Sequence, residues 1–73
     1  MESKRRITNR ILVLRAEKGL SQKEVADLLG VSRQTIISLE KNKYNPSLKL
    51  AFDIALLFEV DLTDVFQYKK EGE

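Results

Sequence analysis

The sequence contains no cysteine and no histidine. Disulfide staples are therefore excluded, and so are the usual zinc sites, which draw their ligands from those two residue types. Catalysis on this chain would have to rest on carboxylates, lysines or hydroxyls alone. Long apolar runs are missing as well: the opening apolar segment, Ile11-Leu12-Val13-Leu14, is far too short for a signal-peptide core or a bilayer span. There are no internal repeats or low-complexity tracts, and no strand-like alternation inside the body. The expectation is a soluble cytoplasmic protein with no membrane partner, no cofactor, no metal and no evident small-molecule ligand.

What is present is a small, helix-patterned unit. With 73 residues the chain is one domain at most. A chain of this size buries only about 60% of its extended surface, so stability must come from well-packed helices or from a partner chain. The net charge of +2 is unevenly placed: residues 1–49 hold eleven Lys/Arg and five Asp/Glu (+6), and residues 50–73 hold two and six (−4). A basic amino-terminal two-thirds beside an acidic remainder suggests one face for a polyanion and another directed elsewhere, against the plainer reading of a solvated surface.

Periodicity and punctuation predict four or five helices. Residues 9–18 carry Ile11, Leu14 and Arg15 at helical spacing, with Thr8 or Asn9 as N-cap and Gly19 as a left-handed terminator. Ser21 and Glu24 frame a capping box that opens residues 22–29, and Gly30 closes that helix. Ser32 caps a helix over residues 33–41, and residues 42–46 form a loop that Pro46 keeps out of helical angles. Ser47 caps a helix reaching about residue 58, with Leu48, Ala51, Ile54, Ala55 and Phe58 as its inward face, and Asp61 caps a last one over residues 62–66. Residues 4–7 and 66–69 can each be extended; they either pair as a small antiparallel ribbon or fray.

The two central helices are short and joined by a single tight turn. That turn needs a residue tolerant of positive φ, which Gly30 supplies, and the close crossing needs a small residue, which Ala26 supplies. Val25, Leu29, Val31, Ile36 and Leu39 offer the shared apolar seam. By spacing, residues 22–41 form a helix-turn-helix.

From residue 9 to residue 67 the chain resembles the Cro/CI-type, or XRE-like, helix-turn-helix family of bacterial, archaeal and phage repressors. The residues that carry the resemblance are LRAEKGLSQKEVADLLGVSRQTIISLEKNKYNPSL and LAFDIALLFEVDLTDVF, about four-fifths of the chain. It is most similar to the small stand-alone members of the cytolysin-repressor type. The resemblance implies an all-α, five-helix, lambda-repressor-like domain over residues 9–67, preceded by a basic arm or short strand (1–8) and followed by a tail (68–73). It also implies a homodimer, in some members extended by a terminal two-stranded sheet.

In that geometry the second short helix enters the major groove with its amino-terminal residues leading. Arg33, Gln34, Ser38 and Ile37 then face base edges: Arg33 can pair bidentately with guanine, Gln34 with adenine, and Ile37 either packs on a thymine methyl or sits at the edge of the core. Gln22 matches the family's phosphate-clamping glutamine and opens a helix whose free amides favour an anion. Lys23, Ser32, Thr35, Asn42, Lys43 and Tyr44 are the other phosphate candidates, and Arg5, Arg6 and Arg10 are either an arm toward flanking DNA or a solvated tail. Leu56 stands where the family usually has a charged residue. With Leu62 and Val65 it is the expected dimer interface, while Phe52, Leu57 and Phe66 are assigned to the core. Leu12 and Leu28 also occupy positions where polar residues are common.

The function expected on these grounds is a sequence-specific, double-stranded-DNA-binding transcriptional regulator, a repressor acting as a homodimer on a pseudo-palindromic operator. An antitoxin-type regulator and a protein-interaction module without DNA readout are the alternatives. An enzyme is not expected, since Asp61 and Asp64 read as a helix cap and a first-turn acid, and Glu24 belongs to the capping box.

Overall fold

A computed structural model describes residues 5–70, with side chains described for residues 6–68. Lys4 of the expected ribbon and the outer ends of the arm and tail lie outside the described residues. The element order is β1 (Arg5–Asn9), α1 (Ile11–Glu17), α2 (Gln22–Leu29), α3 (Arg33–Glu40), α4 (Leu48–Phe58), α5 (Leu62–Val65) and β2 (Phe66–Lys70).

Helix starts follow the side chains that can satisfy orphan amides. The Ser21 hydroxyl accepts from the Glu24 N–H at 3.0 Å, and the Glu24 carboxylate accepts from the Ser21 N–H at 2.8 Å. Ser32 and Ser47 each accept from the amide three residues on, both at 3.1 Å. The Asp64 carboxylate accepts from the Asp61 N–H at 3.2 Å, so these acids serve the start of α5. At α1 the expected cap shifts: the helix begins after Arg10, and Asn9 reaches forward from β1 to accept from the Ile11 N–H at 3.1 Å. Two ends use left-handed residues where expected, Gly19 at φ 70° and Gly30 at φ 74°, while α4 ends on a left-handed Glu59.

Gly30 sets the angle between α2 and α3. A Cβ added there would meet nothing within 4 Å, so only the backbone conformation resists substitution. Gly30→Ala is expected to cost about 1–2 kcal/mol and to lower the melting temperature by roughly 4–15 °C, as read by thermal unfolding. Gly30→Asn, which tolerates this region better, should lose less.

The core is a single cluster to which every helix contributes. Ile11, Val25, Ile36, Leu39, Ile54 and Val65 are fully buried, joined by Leu14, Ala26, Leu50, Ala55 and Phe58. Each fully buried aliphatic contributes about 1.5–3 kcal/mol of transfer free energy, which is the main force holding such short helices together. Leu29, Val31, Leu57, Leu62 and Phe66 pack against this cluster while remaining half-buried.

Three sequence expectations are corrected here. Val65, assigned to the dimer interface, is 0% exposed and lies in the core. On the single turn of α5, Thr63 and Asp64 take the exposed side and Val65 the interior. Leu48 and Phe52, assigned to the core, are 69% and 51% exposed. The rest of the expected inward face, Ala51, Ile54, Ala55 and Phe58, is buried, and Leu50 takes the place expected of Leu48. The ribbon does form: β1 and β2 pair antiparallel, from Arg5 opposite Lys70 to Asn9 opposite Phe66. Phe66 therefore starts a strand and does not end α5.

Candidate nucleic-acid interface

The exposed surface of α3 is laid out by its own phase. Ile36 and Leu39 point into the core, so Arg33 and Gln34 project into solvent at the opening turn, with Ile37 and Ser38 half-buried beside them. Arg33 and Gln34 follow Ser32, whose hydroxyl also lies 2.9 Å from the Thr35 hydroxyl. Ser32, Gln34, Thr35, Ser38, Lys43 and Tyr44 line one concavity of about 220 Å³. Candidates for base and backbone contact are thus brought to one surface. Asn42 adjoins it on the same loop, at φ 58°. Lys23 stands apart on α2, ion-paired with Asp27 at 2.8 Å with both side chains mostly exposed. That hydrogen bond and charge raise the Lys23 pKa above its ordinary value and keep the ammonium protonated.

Behind this surface lies a polar network. The Glu40 carboxylate accepts from Arg15 Nε at 2.6 Å and Nη2 at 3.2 Å, and from Gln22 Nε2 at 3.0 Å. Arg15 also donates to the Leu20 carbonyl at 3.3 Å. The Glu40 side chain is only 5% exposed and that of Arg15 19%, so α1, α2 and α3 are tied at a nearly dry junction. The hydrogen bond to Glu40, opposed by desolvation and helped by its charge, raises the Arg15 pKa above the ordinary arginine value. Above that range, as the raised pKa is passed, the pair's stabilisation would be lost; across neutral pH it is fully present.

The network dictates how Gln22 is presented. With one amide hydrogen committed to Glu40, its carbonyl oxygen turns toward α3 and accepts from Arg33 Nη2 at 3.4 Å. One N–H of that side chain and the free backbone amides of the first turn of α2 stay available for an anion. Glu40 was not among the residues singled out from the sequence. Its signal was its phase: it lies four residues after Ile36, as Arg15 lies four after Ile11, placing opposite charges on inward-facing rows.

A second tie anchors the far end of α3. Asn9 Nδ2 donates to the Leu39 carbonyl at 2.7 Å and to Asn42 Oδ1 at 3.1 Å, and the Arg10 N–H donates to the Val65 carbonyl at 2.9 Å. The Leu39 carbonyl, which also accepts from the Asn42 N–H at 3.0 Å, thereby ties the end of α3 to β1.

The helix-turn-helix family model matches residues 11–65 of this chain. The protein belongs to the XRE-type helix-turn-helix family. This XRE-type protein is 52% identical over 63 residues to an HTH-type transcriptional regulator of Methanocaldococcus jannaschii, covering 86% of this chain and 96% of the relative. Among solved structures it is similar to the transcriptional regulator VanUg, with a TM-score of 0.76 at 25% identity over 97% of this chain and 93% of that one. It is also similar to the restriction-modification controller protein C.AhdI from Aeromonas hydrophila, with a TM-score of 0.68 at 30% identity over 74% and 78%. Among the described residues of this family member, no helix is long and apolar enough to cross a membrane.

Proposed function

We propose that this XRE-type protein binds double-stranded DNA in a sequence-dependent manner, as a homodimer on a pseudo-palindromic operator, and represses transcription by covering promoter DNA. The observation that carries the reading is the shared exposure of Arg33 and Gln34 at the start of a helix held rigidly on its other side by the core and the Glu40 network. Arg33 and Gln34 read bases, with Ser38 and Ile37 beside them, while Gln22, Lys23, Ser32, Thr35, Asn42, Lys43 and Tyr44 hold phosphates. One copy reaches too few base pairs for specificity at cellular salt, and two copies on a two-fold site supply the rest.

The test is duplex binding measured against salt. Two lysines per half-site, Lys23 and Lys43, make four cationic contacts in a dimer. The logarithm of affinity is therefore expected to fall with the logarithm of salt at a slope of about −4. A selected operator should fit a two-fold footprint with half-sites one helical turn apart. Binding that ignores salt, or no duplex affinity beside tight capture of a protein, would replace this reading with that of an interaction module.

A further inference from the structure

Asn9 commits every polar atom of its side chain. Its Oδ1 accepts from the Ile11 N–H at 3.1 Å, and its Nδ2 donates to the Leu39 carbonyl at 2.7 Å and to Asn42 Oδ1 at 3.1 Å. Two of these partners are backbone groups with one possible role each, since an N–H cannot accept and a carbonyl cannot donate. The Asn9 amide therefore has a single orientation, with its nitrogen toward the loop after α3. Asn42 has to answer with its oxygen, which turns its own nitrogen the other way.

The loop itself is closed by its backbone. The Asn42 N–H is taken by the Leu39 carbonyl, and the Lys43 N–H donates to the Ser38 carbonyl at 2.9 Å, the pair of bonds that ends a helix on a left-handed residue. Asn42 holds the left-handed place, which asparagine adopts more readily than most residues with a side chain. With those two amides used, the donors that residues 42 and 43 can offer a ligand are their side chains. Asn42 is exposed, and among the described residues its Nδ2 has no partner. It directly precedes Lys43, in the wall of the concavity that also holds Gln34 and Ser38.

We propose that Asn9, at the inner end of the ribbon, is the positioning residue for a phosphate contact made by Asn42. By holding the Asn42 oxygen it aims both Nδ2 hydrogens outward, at a backbone phosphate of the duplex. The inference rests on the duplex-binding reading and deepens it. A phosphate presents only acceptors, so an asparagine beside it attracts in one orientation and repels in the other. An unheld amide would sample both and would have to be ordered on binding. The bond from Asn9 settles the orientation before the duplex arrives. A serine at position 9 could accept from Ile11 and a lysine could donate to Leu39, yet a carboxamide does both while gripping Asn42.

The test is a cycle of two neutral substitutions in the full chain. It is read by affinity for the selected operator, well below the unfolding range of each variant. Asn42→Gly suits the left-handed position and should keep the melting temperature within about 4 °C of the parent. It should weaken duplex binding by about tenfold for each half-site, the loss of a hydrogen bond to a charged group. Asn9→Ser keeps an acceptor for Ile11 but is too short to reach Leu39 or Asn42, and should weaken binding about threefold to tenfold. In the Asn42→Gly background the same change should cost less than about twofold, because the group it orients is gone. Neither variant should alter the preference for the operator over a duplex changed at one base pair per half-site, since losing a phosphate contact weakens all sequences alike.

Full additivity of the two changes would mean that Asn9 acts through the body of α3, and so would a lost base-pair preference in Asn9→Ser. Either result overturns the proposal and leaves duplex binding standing, as does an Asn42→Gly variant that binds as tightly as the parent. A parent with no affinity for any duplex overturns both readings.

Discussion

Glu40→Ala is expected to lower the melting temperature by about 10–20 °C and to abolish measurable duplex binding near the parent's unfolding range. The carboxylate is the common acceptor for Arg15 and Gln22, and its side chain is only 5% exposed. Removing one partner of a buried ion pair costs about 3–5 kcal/mol. The cost here is nearer 2–3 kcal/mol, because Arg15 keeps 19% of its side-chain surface in water and can rehydrate in part. For a domain this size each kcal/mol moves the melting temperature by roughly 4–8 °C. Glu40→Gln, which keeps the shape and one acceptor, should lose less. The double variant with Arg15→Ala should lose less than the sum of the single changes, since each alone orphans the other group. A melting temperature within a degree or two of the parent would mean that water already screens the junction.

Arg33→Ala is expected to behave in the opposite way, with stability unchanged and selectivity lost. Its side chain is exposed and its one described hydrogen bond, to Gln22, is long at 3.4 Å. Truncation should therefore move stability by less than about 0.5 kcal/mol. A bidentate arginine–guanine contact is worth about 1–3 kcal/mol of discrimination, or roughly 5- to 150-fold in affinity for each half-site. Titrating parent and variant against the selected operator, and against the same duplex changed at one base pair per half-site, separates the effects. The parent should distinguish the two duplexes and the variant should not. A variant that keeps the parent's preference would remove Arg33 from base reading and leave Gln34 to carry it.

The helices were legible in the sequence because their ends are written locally. Ser21, Ser32, Ser47 and Asp61 each stand one residue before a helix, and Gly19 and Gly30 stand just past the ends of α1 and α2. The exposed pair on α3 was legible for the same reason: once Ile36 and Leu39 are taken as buried, the helical period fixes which side Arg33 and Gln34 face. What sequence periodicity does not resolve is the edge of the buried stripe on a helix that is apolar nearly all round. On α4 Ala51, Ile54, Ala55 and Phe58 are buried as the period implies, but the choice of Leu50 over Leu48, and the exposure of Phe52, come only from packing against the other helices. Val65 fails for a related reason, since a four-residue helix is too short to show a period. The ribbon carries no turn signal at all: its strands lie at opposite ends of the sequence, and their register is set by how the helical body positions residues 9 and 66. The Glu40 junction was hidden because charged residues are read as solvent-facing by default, and their burial depends on a partner from another helix.

The ribbon also bears on the order in which the molecule assembles. Pairing of Ile7 with Tyr68 spans nearly the whole chain, whereas α2 and α3 meet within twenty residues of sequence. Closing the longer loop costs more chain entropy and yields only a two-stranded pairing that is marginal by itself. The hairpin of short helices is therefore the natural nucleus, and the strands zip shut last. Since Asn9 leaves that late clasp to grip the Leu39 carbonyl, the final act of folding is also what fastens the trailing end of α3.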